Sequence, residues 1–326
     1  MVYVFTFLGE FGYELFNWQG VIRKFAGTID ETDRIVCCSR ALVYPLYDTA
    51  HLYLDIADAP LFRRSRACCY SATVGIGAPG RAVNRAFDAA LRASLRSFIA
   101  DRIRSARPAW AASDRELAFV FSSSRTAVRD FVFGCDPGRI EHDADIGDRL
   151  ELTGNSYVPL VPDLTLRGEI ERQIGFNLTE PYVLVQGRQR PVGPSSAPLP
   201  AAAIVRGLAR QMRVVRLWFE TGRRLDSFSR FDPRTDCVDY HARTFPEQAC
   251  LVHFAARCVF LTEGDFGSHT YVPPFMGKDV VAIAPRRVYE PWRGAIEFWN
   301  REVFRFGGQI IPQLAEDVID EGAGGT

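Results

Sequence analysis

The sequence predicts an α/β protein made of two Rossmann-like halves facing across a cleft. Short runs of β-type residues alternate with amphipathic helical patterns, which implies mostly parallel sheets covered on both faces. That alternation lapses once, from about Asp136 to Thr165, where Gly, Asp and Pro collect as they do at a domain junction. The 326 residues, 47% of them hydrophobic, suffice for two cores of ordinary size.

In the first half, residues 1–150, Val2 to Phe7 reads as a buried strand. Glu14 to Phe25 reads as a helix with Leu15, Trp18, Val21, Ile22 and Phe25 on one face. A strand at Arg34 to Cys38 follows, then an aromatic, helix-like segment from Leu42 to Tyr53 and a third strand at Ala67 to Ala72. Arg81 to Arg104 carries the longest helical pattern, with Val83, Phe87, Leu91, Leu95, Phe98 and Ile99 on one side and arginines on a solvated other side. Leu117 to Phe121 returns as a strand.

In the second half, residues 151–300, strands are expected at Tyr182 to Gln186, Val214 to Phe219, Cys237 to Tyr240, Val259 to Thr262 and Asp279 to Ala284. Helices are expected at Ala201 to Gln211 and at Pro246 to Arg257. Residues 301–326 read as a helical tail, with a helix near Pro312 to Ile319. There is no repeat at solenoid periods.

Charge and cysteines narrow the function classes. Lys plus Arg equals Asp plus Glu, 39 each, so no net positive field gathers nucleic acid. No apolar run is long enough to span a membrane and no signal-peptide pattern opens the chain, so the expected location is the cytoplasm. The eight cysteines, at 37, 38, 68, 69, 135, 237, 250 and 258, form no CxxC and read as buried reduced thiols with no metal. Gly75, Gly77 and Gly80 have the spacing GxGxxG, but they follow the third expected strand and no ribose-binding acid stands about 20 residues on, so no dinucleotide is expected.

Ligands of open parallel sheets sit at the carboxyl ends of the strands, which directs attention to the strand-end loops. In the second half the richest is "FLTEGDFGSHTYVPPFMGKDVVAIAP", residues 260 to 285. Glu263, Gly264, Asp265, Gly267, Ser268 and His269 follow a strand and open a helix, where free N–H groups favour an anion. An N-cap serine in a glycine turn reads equally well. After the strand "YVLVQ", Gly187, Arg188, Gln189 and Arg190 place two guanidiniums at a strand end, a donor set suited to a diphosphate.

The run of about 50 residues from Cys237 to Pro285 resembles the nucleotide-sugar-binding half of GT-B-fold glycosyltransferases, with Glu263, Gly267, Ser268, His269, Gly277, Lys278 and Pro285 at the matching places. "QGRQR" looks similar to the H-x-R sequence of fucosyltransferase-type enzymes, but Gln186 stands where their histidine does. There is also a distant similarity to heptosyltransferase-type enzymes. The resemblance implies transfer of a sugar from a nucleotide-diphosphate sugar to an acceptor hydroxyl. The donor would meet Arg188, Arg190, Glu263, Gly267, Ser268 and His269, with Glu220 and His241 as further contacts.

Such a reaction builds negative charge on the departing diphosphate, which a divalent cation or fixed cationic donors must stabilise. The sole Asp-x-Asp, Asp143 to Asp145, lies in the expected junction, so the expectation is metal-independent transfer with no cofactor. The acceptor is open among a glycan, a small molecule and nucleic acid. Two alternatives stand beside the main reading: the same chemistry on a nucleic-acid base, as in phage DNA modification, and a nucleotide-sugar-binding protein without turnover.

The N-terminal "LGEFGYELFNWQG", residues 8 to 20, resembles the glycine-rich first loop of GT-B acceptor domains and a feature of bacterial and phage glycosyltransferase-like proteins. Gly9 and Gly12 would let backbone and substrate approach. Glu10 is the first candidate for the general base that takes the acceptor hydroxyl's proton, and Glu14 the second. Glu14 equally suits a first-turn acid that complements the helix dipole.

Overall fold

β1 (Val2–Phe7) is buried along its whole length, and it takes a neighbour on each side. The computed structural model describes residues 1–7, 11–39, 42–59, 89–110, 117–123, 139–142, 150, 157–188, 199–219, 237–242, 244–263, 266 and 268–318. Within it the chain divides into two units, Met1–Tyr157 and Val158–Thr326.

The first unit holds a five-stranded sheet of order β3-β2-β1-β4-β5, from β2 (Arg34–Ser39), β3 (Leu52–Asp55), β4 (Leu117–Ser123) and β5 (Arg139–His142). All pairs are parallel except β4 with β5. On one face Phe5 meets the rings of Trp18 and Phe25 edge-on, at 5.8 and 5.0 Å between centroids. These rings come from a helix that opens as α1 (Phe11–Tyr13), widens into a π turn at Glu14–Trp18 and continues as α2 (Gln19–Ala26). On the other face Val2, Val4, Val36 and Phe121 pack with Leu95, Ile99 and Ile103 of α3 (Ala89–Ala106). Residue spacing explains both layers: alternate residues of β1 serve alternate faces, and the helical apolar positions recur one turn apart.

The segment from Leu42 to Tyr53 is no helix: a 3₁₀ turn, Tyr44–Leu46, leads into β3, because Pro45 and the β-preferring Tyr53 and Leu54 break the helical period. The third strand of the sheet is β3; the stretch Ala67 to Ala72 lies outside the described residues, as does the Arg81 to Asp88 part of the expected long helix. The expected junction contains β5, whose sequence RIEH alternates weakly because it sits at a sheet edge. The arginine side of α3 is not simply solvated, since the Arg96 guanidinium lies over the rings of Phe119 and Phe121 at 5.4 and 5.5 Å.

The second unit holds six parallel strands in the order β11-β10-β9-β6-β7-β8: β6 (Tyr182–Arg188), β7 (Arg213–Phe219), β8 (Cys237–Ala242), β9 (Arg257–Thr262), β10 (Val280–Ala284) and β11 (Ile310–Leu314). Counted within the unit this is the order 6-5-4-1-2-3, the doubly wound arrangement in which chain direction across the sheet reverses between the first and fourth strands. After α4 (Arg167–Ile174), the crossovers carry α5 (Ala201–Ala209), α6 (Phe245–Phe254), α7 (Val272–Phe275), α8 (Arg286–Tyr289) and α9 (Arg293–Phe298). One face buries Val183, Val185, Val259 and Leu261 against Ile204 and Val205 of α5. The other meets α6, where the Tyr182 hydroxyl donates to the Leu251 carbonyl.

The expected helical tail is also corrected: Ile310–Leu314 is an edge strand, and among the described residues of the tail only 301–303, the end of a π turn, and 315–318 are helical. Its β-branched pair Ile310 and Ile311 favours the strand, and Pro312 is tolerated because an edge leaves one side unpaired. No helix among the described residues is long and apolar enough to cross a membrane.

Gly277 and Lys278 prove to be architectural. Gly277 has φ of 73°, and a Cβ there would meet the Phe306 carbonyl oxygen at 2.7 Å. The Lys278 Nζ donates to the Ala255 carbonyl at 2.8 Å, closing the end of α6. Replacing Gly277 with Ala is expected to lower unfolding stability by about 1–3 kcal/mol through left-handed strain and this contact, read as a shift of the urea midpoint.

Candidate functional site

The carboxyl edge of the second sheet is set by the pairing of β6 and β9. Their register places Arg188 opposite Thr262 and Gln186 opposite Phe260, so the two strands end together at the point where strand order reverses. Gly187 and Arg188 belong to β6, not to the loop after it; parallel pairing with β9 extends the strand two residues beyond the expected Gln186. Glu263 follows β9 directly, half-buried, and its Oε1 accepts the Leu199 backbone N–H at 2.9 Å. That bond ties the end of β9 to the residue that leads into α5, so Glu263 holds the two strand-end segments together.

Ser268 and His269 open a 3₁₀ turn, Ser268–Tyr271, followed by the single α-helical turn of α7. The expected helix is cut short because Pro273 and Pro274 lack the N–H groups needed to extend it backward. A turn of this length carries little of the dipole of a full helix. His241 is exposed and lies within β8, opposite Trp218, rather than beyond the strand. As β8 is the sheet edge, His241 stands two strands away from the β6–β9 junction. Arg190, Gly267 and Glu220 lie outside the described residues, as do the side chains of Arg188, Ser268 and His269. His253, within α6, is exposed and packs edge-on against Phe254 at 4.9 Å.

In the first unit the corresponding reversal lies between β1 and β4, whose register pairs Phe7 with Ser122. Gly9 and Glu10 lie outside the described residues. Gly12 sits in α1, not in a loop, because the helix begins at Phe11, three residues earlier than the apolar period alone implies. Glu14 is only 3% exposed and accepts a hydrogen bond from the Tyr47 hydroxyl. Tyr47 stacks on Tyr53 at 5.9 Å, and the Tyr53 oxygen accepts the Val43 N–H at 3.0 Å. Burial first, and then the Glu14 charge, hold both phenols well above their ordinary pKa, so each stays a donor-bearing phenol. The π turn is what carries Glu14 inward, since it buries all five of its residues.

Sequence reading missed this role of Tyr47 and Tyr53; the only available signal was an aromatic excess between Leu42 and Tyr53. It also missed a set of buried polar residues in the second unit, Gln186, Gln248, Thr262 and Thr270. Among the described residues no three His, Cys, Asp or Glu side chains gather as metal ligands. Asp143 to Asp145 lie outside the described residues.

The described cysteines are free, and those at 37, 38, 250 and 258 are buried. Burial raises the Cys38 and Cys258 thiols to about 12. Because the folded state holds these protons more tightly than the unfolded one, its stability is expected to fall as pH rises from about 9 toward 12, measured by urea unfolding across that range. At pH 8, alkylation followed by peptide mapping should label these two cysteines only after denaturation.

No protein-family model and no curated protein matches the chain. Among solved structures it is similar to the glycosyl transferase family 9 protein of Veillonella parvula DSM 2008, at 11% identity and a TM-score of 0.51, over 99% of this chain and 88% of that one. It is likewise similar to E. coli ADP-heptose LPS heptosyltransferase II, at 10% identity and a TM-score of 0.53, over 99% of this chain and 98% of the other. At such identities the likeness is one of fold: the chain shares the α/β fold of these glycosyltransferases, with two sheets whose strands run parallel apart from β5.

Proposed function

We propose that the protein is a glycosyltransferase that moves a sugar from a nucleotide-diphosphate sugar to an acceptor hydroxyl without a metal ion. The observation that carries this reading is the β6–β9 edge. There a doubly wound sheet reverses direction, Arg188 ends one strand, and Glu263 follows the other and fastens the neighbouring segment. The fold shared with the two glycosyltransferases supports it.

In this reading the second unit binds the donor. Arg188 and Arg190 neutralise charge on the leaving diphosphate, with Gly267, Ser268 and His269 beside it. Glu263, whose carboxylate would repel phosphate, instead faces donor hydroxyls with the oxygen it does not give to Leu199. His241 and Glu220 lie at the margin of the donor site. The first unit takes the acceptor, with Gly9 and Gly12 allowing close approach. Glu10 accepts the acceptor proton as its oxygen bonds to the anomeric carbon and the bond to the diphosphate oxygen breaks. Glu14, held by Tyr47, positions the helix behind that loop rather than exchanging protons with substrate.

Incubation with a panel of nucleotide sugars and simple acceptors should release a nucleoside diphosphate, unaffected by EDTA. Loss of activity on EDTA with recovery on manganese would show the leaving group to be metal-stabilised. Glu10→Gln should lower kcat by about 100-fold or more. Glu14→Gln should cost stability first, by about 1–3 kcal/mol, because it disturbs a buried hydrogen bond to Tyr47.

A further inference from the structure

Gln186 stands in a row that crosses the second sheet, Phe260, Gln186, Leu217 and Tyr240, each opposite the next in register and each buried. It is the single amide in that row, 5% exposed, and its Nε2 has no hydrogen-bond partner. Thr270, fully buried in the turn after β9, has an Oγ1 equally without partner. An unmet buried donor costs about 1–3 kcal/mol, and native proteins keep few of them.

These two residues belong to one face and one edge. Tyr182 reaches α6 through its hydroxyl, and Gln186, four residues on in the same strand, lies on the same face. The crossover from β9 to β10 carries Thr270, and its α7 packs against α6, so it covers that face too. α6 runs back from the carboxyl end of β8 to the start of β9, which puts its first turn, with buried Gln248, at the carboxyl edge. Thr262, the last residue of β9, completes the edge. The buried polar residues there are all uncharged, and the only cation of this crossover that the structure describes, Lys278, is committed to the Ala255 carbonyl at the opposite end of α6.

We propose that Gln186 and Thr270 are sugar-reading residues: the amide N–H and the hydroxyl hydrogen-bond to hydroxyl groups of the donor's sugar, not to its diphosphate. This rests on the nucleotide-sugar reading above and specifies it. A neutral amide and hydroxyl set in an apolar row suits a neutral, hydroxyl-bearing group, and leaves the diphosphate to Arg188, two residues further along β6. The unmet groups are then a cost carried by the free protein and recovered on binding.

The test compares wild type with Gln186→Leu, Thr270→Val and Thr270→Ser by thermal shift and calorimetry, using nucleoside diphosphates and the corresponding nucleotide sugars. Wild type should bind a nucleotide sugar more tightly than its diphosphate. Gln186→Leu and Thr270→Val should lose that difference, by roughly tenfold in Kd or more, while diphosphate affinity is unchanged and the free proteins unfold at the same or higher temperature. Thr270→Ser keeps the hydroxyl and should keep the difference. If the variants retain wild-type sugar preference, or if the free variants unfold at clearly lower temperature, the assignment is overturned while donor binding stands. If no nucleotide or nucleotide sugar binds wild type, the donor reading and this assignment fall together.

Discussion

Parallel pairing of a central first strand is the constraint on which both units depend. A strand flanked on both sides by parallel neighbours cannot be reached by hairpins, so each connection must cross over a face of the sheet. In the second unit β6 has β7 on one side and β9 on the other. The helices reached from β6 and β9, α5 and α7, therefore lie on opposite faces of the sheet. That divergence arises from hydrogen-bond geometry and handedness before any side chain is chosen, and the chemistry of Arg188 and Glu263 is added to it.

The two edges are furnished differently. In the second unit Glu263 gives a carboxylate oxygen to a backbone N–H, a bond that fixes two chain segments. In the first unit a carboxylate is taken inward by a π turn and held under two stacked phenols, where it orders the helix rather than facing solvent. The two glutamates look alike as residues that follow a strand, yet one backbone turn of different width separates a rim carboxylate from a buried one.

Much of the architecture was legible in the sequence for a plain physical reason: strands buried on both faces are continuous apolar runs, as in VYVFTF and VVAIA, and the amphipathic helices between them keep their period. Legibility failed where local signals compete with pairing. Arg188 and His241 look like loop residues by type, but backbone bonds to β9 and β7 draw them into strands. The edge strands Leu52–Asp55 and Ile310–Leu314 were hidden because an edge needs little alternation. At the candidate site, residue type drew attention to the charged residues and the glycines. It could not draw attention to Gln186 Nε2 or Thr270 Oγ1, which are buried without a partner, a property of the packed state alone.

The Gly277–Lys278 step bears on how likeness among such chains should be weighed. Gly277 is fixed by its backbone angle and by the neighbouring Phe306 carbonyl, Gly308 by its contact with Lys278, and Lys278 by the end of α6. Selection on these positions would act through folding, at a point removed from the carboxyl edge. A relative with no turnover at all would be held to them equally. Agreement at Gly277, Lys278 and Gly308 therefore dates shared architecture and says nothing of a shared reaction.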